Sequence, residues 1–357
     1  MTSTFPLAGV ARLPAFFCAI GSTPARLIHY LASNEPLSGG LDQAPYIDRA
    51  QCHPPPDRRN PVNQSNISQA SEPTIRLRNG RMIGFLQVGK ADGPAVFHFH
   101  GHESSRLEAL LVSEQAVSLG VRLIALDRPG IGRSSANEGY RLLDWPDDVS
   151  EVADQLGIGR FAVEGVSAGG VYALACAYKL PHRLTACRLI STVPPAALLR
   201  KAGPLWMRAG LSIVERLPVL FRLYLELLPD PAADERAREK LLLRYASHLS
   251  EADRKLLQTA GLRKQLAQAM AESRRQGSRG NRYEARILAQ CWGFKPEEIA
   301  FERIFLWHGQ QDRFMPIAAA RLLARKLPHR IAAFYPKDGH FSVLMEHTQE
   351  ILNAVRG

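Results

Sequence analysis

Residues Arg160 to Leu180 read R-F-A-V-E-G-V-S-A-G-G-V-Y-A-L-A-C-A-Y-K-L: an apolar strand pattern, then Gly165-Val166-Ser167-Ala168-Gly169, then an alanine-rich helix pattern. A serine hydroxyl is a poor nucleophile unless a neighbouring base takes its proton, so the chain must hold it where base and substrate can both reach it. A sharp strand-to-helix turn does that. Gly165 and Gly169 fall where a side chain would collide with the adjoining strand or helix, and Ala168 would offer its N–H at a helix N-terminus to a developing oxyanion. The competing reading is a glycine-rich connection with an ordinary hydroxyl. G-x-S-x-G by itself is common by chance, and its place between a strand and a helix makes Ser167 a candidate nucleophile.

On either side of this turn the chain alternates strand and helix patterns. Thr74-Ile-Arg-Leu-Arg and Met82-Ile-Gly-Phe-Leu-Gln-Val flank Asn79-Gly80, a pair suited to a tight antiparallel hairpin. Buried-strand runs follow at Ala95–His100, Val121–Leu126, Phe161–Val166 and Ala186–Val193, separated by helix patterns near Arg106–Leu119, Leu142–Leu156 and Gly170–Leu180. Such alternation predicts right-handed crossovers and a mostly parallel sheet covered on both faces. After Pro194-Pro195 the strand signal stops for about a hundred residues of leucine- and arginine-rich helix pattern, broken at Pro204, Pro218, Pro229 and Gly277. It resumes with Ile304–Trp307, a helix from Pro316 to Leu327, Ile331–Tyr335 and a last helix after His340. The expected organisation is an α/β core over 73–194 and 298–357, interrupted by a helical insertion over 195–297. Ahead of it, residues 1–72 carry Pro54-Pro55-Pro56, a polar tract from Asn60 to Ser71 and only short apolar islands, so a disordered extension is expected. Leu13–Ile20, short and containing a proline, makes a poor secretion signal.

Composition bounds the class. The 357 residues are 46% hydrophobic and 22% charged, as an ordinary globular protein is. The formal charge of +11 asks about acidic partners, yet no nucleic-acid motif accompanies it. Much of the excess sits in helical stretches such as Arg236-Ala-Arg238-Glu-Lys240, Arg254-Lys255, Arg263-Lys264 and Arg274-Arg275, where it alternates with leucines as a solvated face does. Peripheral contact with a membrane surface through this basic region is the alternative. Five cysteines without metal-like spacing, an odd number, argue for a reducing, cytoplasmic location. No apolar run reaches the ~20 residues of a transmembrane helix.

A nucleophilic serine needs a base, an acid to orient the base and oxyanion donors, each at the carboxyl end of a strand. Asp312 closes Arg303-Ile-Phe-Leu-Trp-His-Gly-Gln-Gln-Asp312, and His340 closes Ala332-Ala-Phe-Tyr-Pro-Lys-Asp-Gly-His340. Alone, such an aspartate reads as a turn or cap residue and such a histidine as a packed one. Their order after Ser167 is nucleophile, acid, base.

With His98-Phe-His100-Gly101-His102-Glu103, Asp127-Arg-Pro-Gly-Ile-Gly-Arg-Ser134 and the serine turn, the span from Thr74 to Gly357 resembles the α/β-hydrolase fold family with a helical cap after the sixth strand. The resemblance implies a nucleophile elbow at Ser167, a Ser167–Asp312–His340 triad, and an oxyanion hole built from the N–H groups of His102 and Ala168. The family often has proline or glycine near Glu103-Ser104, and this chain departs from that. The implied activity is a serine esterase acting through an acyl-enzyme on a small, largely apolar substrate, with no cofactor and no metal. A serine nucleophile sets it apart from the family's epoxide hydrolases and haloalkane dehalogenases, which use aspartate. The missing His-Gly-Gly-Pro-Gly pattern sets it apart from proline iminopeptidases.

Rival readings stay open. His98 and His100 share a strand face and could present imidazoles to a metal, but no further ligands complete a site, and His100 is expected to fix the loop by hydrogen bonding. Asp127 reads as a loop cap, Asp144, Asp147 and Asp148 as a helix N-terminal turn, and His308 as loop support. Gly130-Ile-Gly132 lacks the remainder of a dinucleotide fingerprint. Trp206, Phe221, Tyr224 and Tyr245 are candidate pocket walls in the insertion, and each taken singly suits ordinary helix packing better. The same triad would serve an acyltransferase or perhydrolase, and the same fold a non-catalytic ligand-binding protein. Oligomeric state is left open.

Overall fold

A computed structural model describes residues 46–47 and 73–354, apart from 229 and 247. The extension expected over 1–72 therefore lies outside the described residues, except for a two-residue strand, β1 (Tyr46–Ile47), paired in parallel with the last strand of the sheet. The hairpin forms as its sequence predicts. β2 (Thr74–Arg76) and β3 (Met82–Gly89) run antiparallel around Asn79-Gly80, where Gly80 takes φ 84° and Asn79 accepts the Arg81 N–H through its side chain.

The remaining strands are β4 (Ala95–Phe99), β5 (Arg122–Leu126), β6 (Phe161–Val166), β7 (Leu184–Ile190), β8 (Ile304–Gly309) and β9 (Arg330–Tyr335). They complete a nine-stranded sheet in the order β1-β9-β8-β7-β6-β4-β5-β3-β2, parallel except where β3 pairs with β2 and β5. Because β4 pairs in parallel with both β5 and β6, the winding reverses there, and a crevice opens beyond the carboxyl ends of those two strands. Ser167 immediately follows β6 and His100 immediately follows β4.

The alternation of side chains across the pleat divides the apolar residues between two cores, one per sheet face. Phe97, Phe99, Phe161, Val163 and Leu189 face the core covered by α2 (Trp145–Gln155) and α3 (Gly169–Lys179). Val96, Ala162, Ala186 and Ile190 face the other, covered by α1 (Ser113–Ser118) and α12 (Ser342–Asn353). In the first core, fully buried Trp145 stands edge-on to Phe99 at 5.3 Å and Tyr172 at 5.7 Å, joining sheet, α2 and α3. Truncating it to alanine would cost about 3–5 kcal/mol.

Between β7 and β8 the described residues form only helices: α4 (Ala196–Ala202), α5 (Leu205–Arg216), α6 (Pro218–Glu226), α7 (Glu235–Ala246), α8 (Glu251–Leu257), α9 (Ala260–Ser273) and α10 (Arg279–Ala289). Three of the four expected breaks are seen: Pro204 caps α5, Pro218 starts α6, and Gly277 at φ 79° separates α9 from α10; Pro229 lies outside the described residues. After β8 the chain makes α11 (Ile317–Lys326) before β9. Among the described residues no helix is long and apolar enough to cross a membrane.

Candidate active site

Ser167 sits at φ 53°, in the left-handed region a serine seldom adopts, because β6 must turn directly into α3. The turn is possible only with glycine on both sides. A Cβ on Gly165 would lie 2.3 Å from the Gly169 carbonyl carbon, and one on Gly169 would lie 1.9 Å from the Phe99 carbonyl oxygen. The serine backbone is tied to the next strand, its N–H donating to Ile190 O at 2.8 Å and its carbonyl accepting from Val193 N–H at 3.0 Å. Ala168 follows as the residue that enters α3.

Asp312 and His340, 28 positions apart, meet at the carboxyl ends of β8 and β9. Asp312 Oδ2 lies 2.7 Å from His340 Nδ1, while Asp312 Oδ1 accepts the N–H groups of Phe314 and Met315, each at 2.8 Å. One carboxylate oxygen is thus fixed by backbone and the other is left to orient the imidazole. Burial would lower the His340 pKa, and Asp312 outweighs it and raises it; the same pairing lowers that of Asp312 against burial. Phe314 stands edge-on to the His340 ring at 5.2 Å. Ser167, His340 and His102 line one cavity together with Gly101, Glu103 and Glu108, below walls that are otherwise almost wholly apolar. Those walls come largely from the helices between β7 and β8 and include Trp206, Tyr224 and Tyr245. Phe221 does not line it: at 2% exposure it packs into the core, the helix-packing alternative of the sequence reading.

The loop after β4 is held from beneath by a chain of buried charges. On the strand positions facing the second core, Arg188 pairs with Glu164 at 2.9 Å, Glu164 with His98 Nδ1 at 2.8 Å, and His98 Nε2 lies 3.3 Å from Glu108. Glu108 ends the chain by accepting the Gly101 N–H with both oxygens, at 3.1 and 3.0 Å. Burial alone would deprotonate His98, but Glu108 and Glu164 raise its pKa to about 9. The two flanking carboxylates thus favour the protonated form of His98. His100 behaves oppositely: burial and then Arg128 lower its pKa to about 3, and its Nδ1 lies 2.8 Å from Gly101 O. Arg128 adds bonds to the carbonyls of His100 at 2.6 Å and Gly101 at 3.0 Å, so His100 supports the loop as expected. Among the described residues no cluster of three or more His, Cys, Asp or Glu side chains is arranged to hold a metal ion.

From above, the helical insertion grips the same loop. Glu284 of α10 meets His102 Nδ1 at 2.6 Å and also bonds Arg128 Nε; burial would raise its pKa, and Arg128 and His102 bring it to about 2. Glu103, at φ 55°, pairs with Arg274 at 2.8 Å and accepts from Tyr245 Oη. Arg274 is only 5% exposed, so of the basic Arg274-Arg275 pair only Arg275 lies on the solvated face that the sequence predicts. Asp127 caps as expected, accepting the N–H groups of Arg106 and Arg133, and it also pairs with the Arg106 guanidinium at 2.6 Å. Asp148 lies in the first turn of α2 as expected but is buried, bonded by Arg81 and by Tyr140 Oη. His308 supports its loop through Met315 O at 2.9 Å.

The sequence reading missed Asp253. In the chain it is the last residue of Ser250-Glu-Ala-Asp253, a plain helix-start pattern, and Ser250 does cap α8. Its carboxylate also accepts the N–H of His340 at 2.8 Å, Phe341 at 3.0 Å and Ser342 at 2.9 Å. On the other side of the same peptide, Ser191 Oγ donates to His340 O at 2.9 Å. Ser167, Glu103 and Ser191 are the three non-glycine residues with positive φ among those described; the first two line this cavity and the third holds the His340 carbonyl. Such backbone costs on the order of 1 kcal/mol or more each and persists where the surroundings impose it.

Residues 99–346 match the model of the alpha/beta hydrolase fold family. The chain is 26% identical over 294 residues to a dihydrolipoyllysine-residue acetyltransferase component of an acetoin-cleaving system from Pseudomonas putida, covering 81% of this chain and 70% of that one. It is 29% identical over 132 residues to a bifunctional esterase/perhydrolase from Acinetobacter calcoaceticus, 36% of this chain and 48% of that relative's length. An esterase structure from Exiguobacterium antarcticum superposes with a TM-score of 0.60 at 18% identity, covering 80% of this chain and 99% of the other. The oriented histidine, the strained serine turn and these likenesses agree that the chain is an enzyme of the α/β-hydrolase fold family.

Proposed function

We propose that the protein is a serine esterase in which Ser167 is the nucleophile, His340 the general base and Asp312 the residue that orients it. The observation that carries this reading is the contact of His340 Nδ1 with Asp312 at 2.7 Å, made at the edge of the cavity that Ser167 also lines. His340 Nε2 removes the Ser167 proton as Oγ bonds to the ester carbonyl carbon. The N–H groups of His102 and Ala168 take the oxyanion, and the proton passes from His340 to the departing alkoxide as the carbon–oxygen bond breaks. Water then repeats the cycle on the acyl-serine, releasing the acid and restoring both residues.

Residues 195–297 act as the cap in this reading, and their leucines, Trp206, Tyr224 and Tyr245 select an ester with an apolar acyl or alcohol portion. A cavity so poor in polar groups disfavours water, so acyl transfer to an alcohol or peroxide acceptor is the second outcome of the same acyl-enzyme. Product partition between water and added alcohol or peroxide measures it. The three described cysteines are all unpaired, which supports a reducing, cytoplasmic setting. Wild-type protein is expected to hydrolyse short p-nitrophenyl esters and to be labelled by a fluorophosphonate. Ser167→Ala should abolish both, and full retained hydrolysis by that variant would overturn the assignment.

A further inference from the structure

Six of the nine exposed large apolar side chains among the described residues lie on one short stretch, α5 and α6 of the insertion: Leu205, Leu217, Val219, Leu220, Leu223 and Leu227. Val219, Leu223 and Leu227 are spaced four apart and form a stripe, with Val219 67% and Leu227 75% exposed. Leu220 and Leu217 widen it. The opposite side of the same segment is spoken for: Phe221 is buried in the core, and Tyr224, Leu225 and Leu228 line the cavity below. The outward side of a helix is ordinarily polar, and on this one Arg222 and Glu226 share it with the uncovered leucines.

Beside the stripe is a groove lined by Arg222, Arg279, Arg282 and Arg286 together with apolar Val214, Pro218, Val219 and Tyr283, with buried Phe221 at its floor. Four guanidiniums share two carboxylates there. Glu226 lies 2.8 Å from Arg222 and 3.5 Å from Arg282, and Glu138 pairs with Arg279. Arg286 has no carboxylate partner among the described residues. Burial, and then Arg222, lower the pKa of Arg282, a mark of how closely the cations crowd. Excess positive charge in a groove whose rim is an apolar stripe complements an anionic head group joined to hydrocarbon.

We propose that this face of α5 and α6 docks the protein on an anionic phospholipid surface, with Leu220, Leu223 and Leu227 entering the acyl boundary and the arginine groove receiving head-group phosphate. A second copy of the chain fits the surface less well, since a two-fold contact through α6 would bring arginine against arginine. Nucleic acid would leave the leucines exposed. The stripe and the cavity are two sides of one helix, so the docked surface lies one helix away from Ser167. Docking is independent of the catalytic reading.

The test is flotation of the full chain with unilamellar vesicles of phosphatidylcholine alone or mixed with phosphatidylglycerol, at physiological salt. The expected result is binding to the mixed vesicles and far weaker binding to phosphatidylcholine. Leu220→Ser/Leu223→Ser should weaken binding to mixed vesicles about tenfold or more, and Arg282→Gln/Arg286→Gln should reduce it to the phosphatidylcholine level. Both variants change exposed or groove positions, and unchanged thermal unfolding would show them folded. The proposal is overturned if the wild type does not float with anionic vesicles, or if the serine variant floats as the wild type does, which would leave only net charge. It is equally overturned if millimolar inorganic phosphate releases the protein, which would reassign the groove to a free anion, or if these leucines instead hold a dimer that the serine variant dissociates.

Discussion

Asp253, on the first turn of α8, accepts the backbone N–H of His340 at 2.8 Å, and so ties the strand-end loop carrying the proposed base to the helical insertion. The same carboxylate takes the next two N–H groups, those at the start of α12, where a negative charge also meets the helix dipole favourably. An insertion that grips the His340 loop through Asp253 and the His102–Glu103 loop through Glu284, Arg274 and Tyr245 is part of the site's framework as well as its roof. Asp253→Asn retains size but offers one acceptor oxygen and turns an NH₂ toward backbone donors. Each unmet buried donor costs about 1–3 kcal/mol. The expected outcome is a lower Tm and a kcat for a short p-nitrophenyl ester reduced about tenfold at nearly constant KM. An unaltered kcat in a folded variant would show that this carboxylate only caps α12.

His340 must be neutral to act as a base, and Asp312 raises its pKa against burial. Ester hydrolysis should therefore rise with pH along a limb centred above the ordinary histidine value of about 6.5. Asp312→Asn removes the raising charge and leaves burial, so the limb should move to lower pH while the plateau falls by roughly 10³–10⁴. A limb that stays in place in Asp312→Asn would assign the titration to another group.

His98 supplies a stability test of opposite slope. Its folded pKa of about 9 lies above the unfolded value near 6.5, so its contribution is fully present below the unfolded value and is lost as pH rises through about 9. The wild type should lose Tm between pH 7 and 9.5, and His98→Gln, less stable at pH 7, should lose much less over that interval. Parallel Tm curves for the two proteins would refute an internal cation at this position.

Arg274 and Glu103 form a buried pair whose halves should not be separable. Removing one partner leaves an uncompensated charge, so Arg274→Met should destabilise by about 3–5 kcal/mol. Adding Glu103→Gln should recover a large part of that loss. Chemical denaturation of the two single variants and the double variant gives the coupling directly, and additive losses would mean that solvent already screens the pair.

How much of this was legible in the chain depends on the range of the interaction concerned. The serine turn, the hairpin at Asn79-Gly80 and the strand–helix alternation rest on local periodicity and glycine placement, and each forms where those features fall. Asp312 and His340 were legible as a pair because both follow strands whose carboxyl ends the parallel sheet brings to one edge. Arg274 reads as solvated and Asp148 only as a helix-start carboxylate, which it is, since nothing in their neighbours along the chain announces Glu103, 171 positions away, or Arg81, 67 positions away. Phe221 reads in the chain as either pocket wall or core for a related reason. Helical spacing tells which side chains share a face of α6 but not which face meets the cavity and which the core.

The amino-acid sequence by itself determined the mostly parallel sheet, the helical interruption and a serine on a sharp turn, because backbone sterics and hydrophobic periodicity act within a few residues. Only the tertiary structure decided that Asp253, Glu284, Arg274 and Tyr245 come down from the insertion onto the loops beside that serine, and that none of the described residues covers the outward apolar side of α6. Buried charges find partners by proximity in space, and exposure is a property of what remains after all the helices have packed; neither is written in the spacing of residues along a chain.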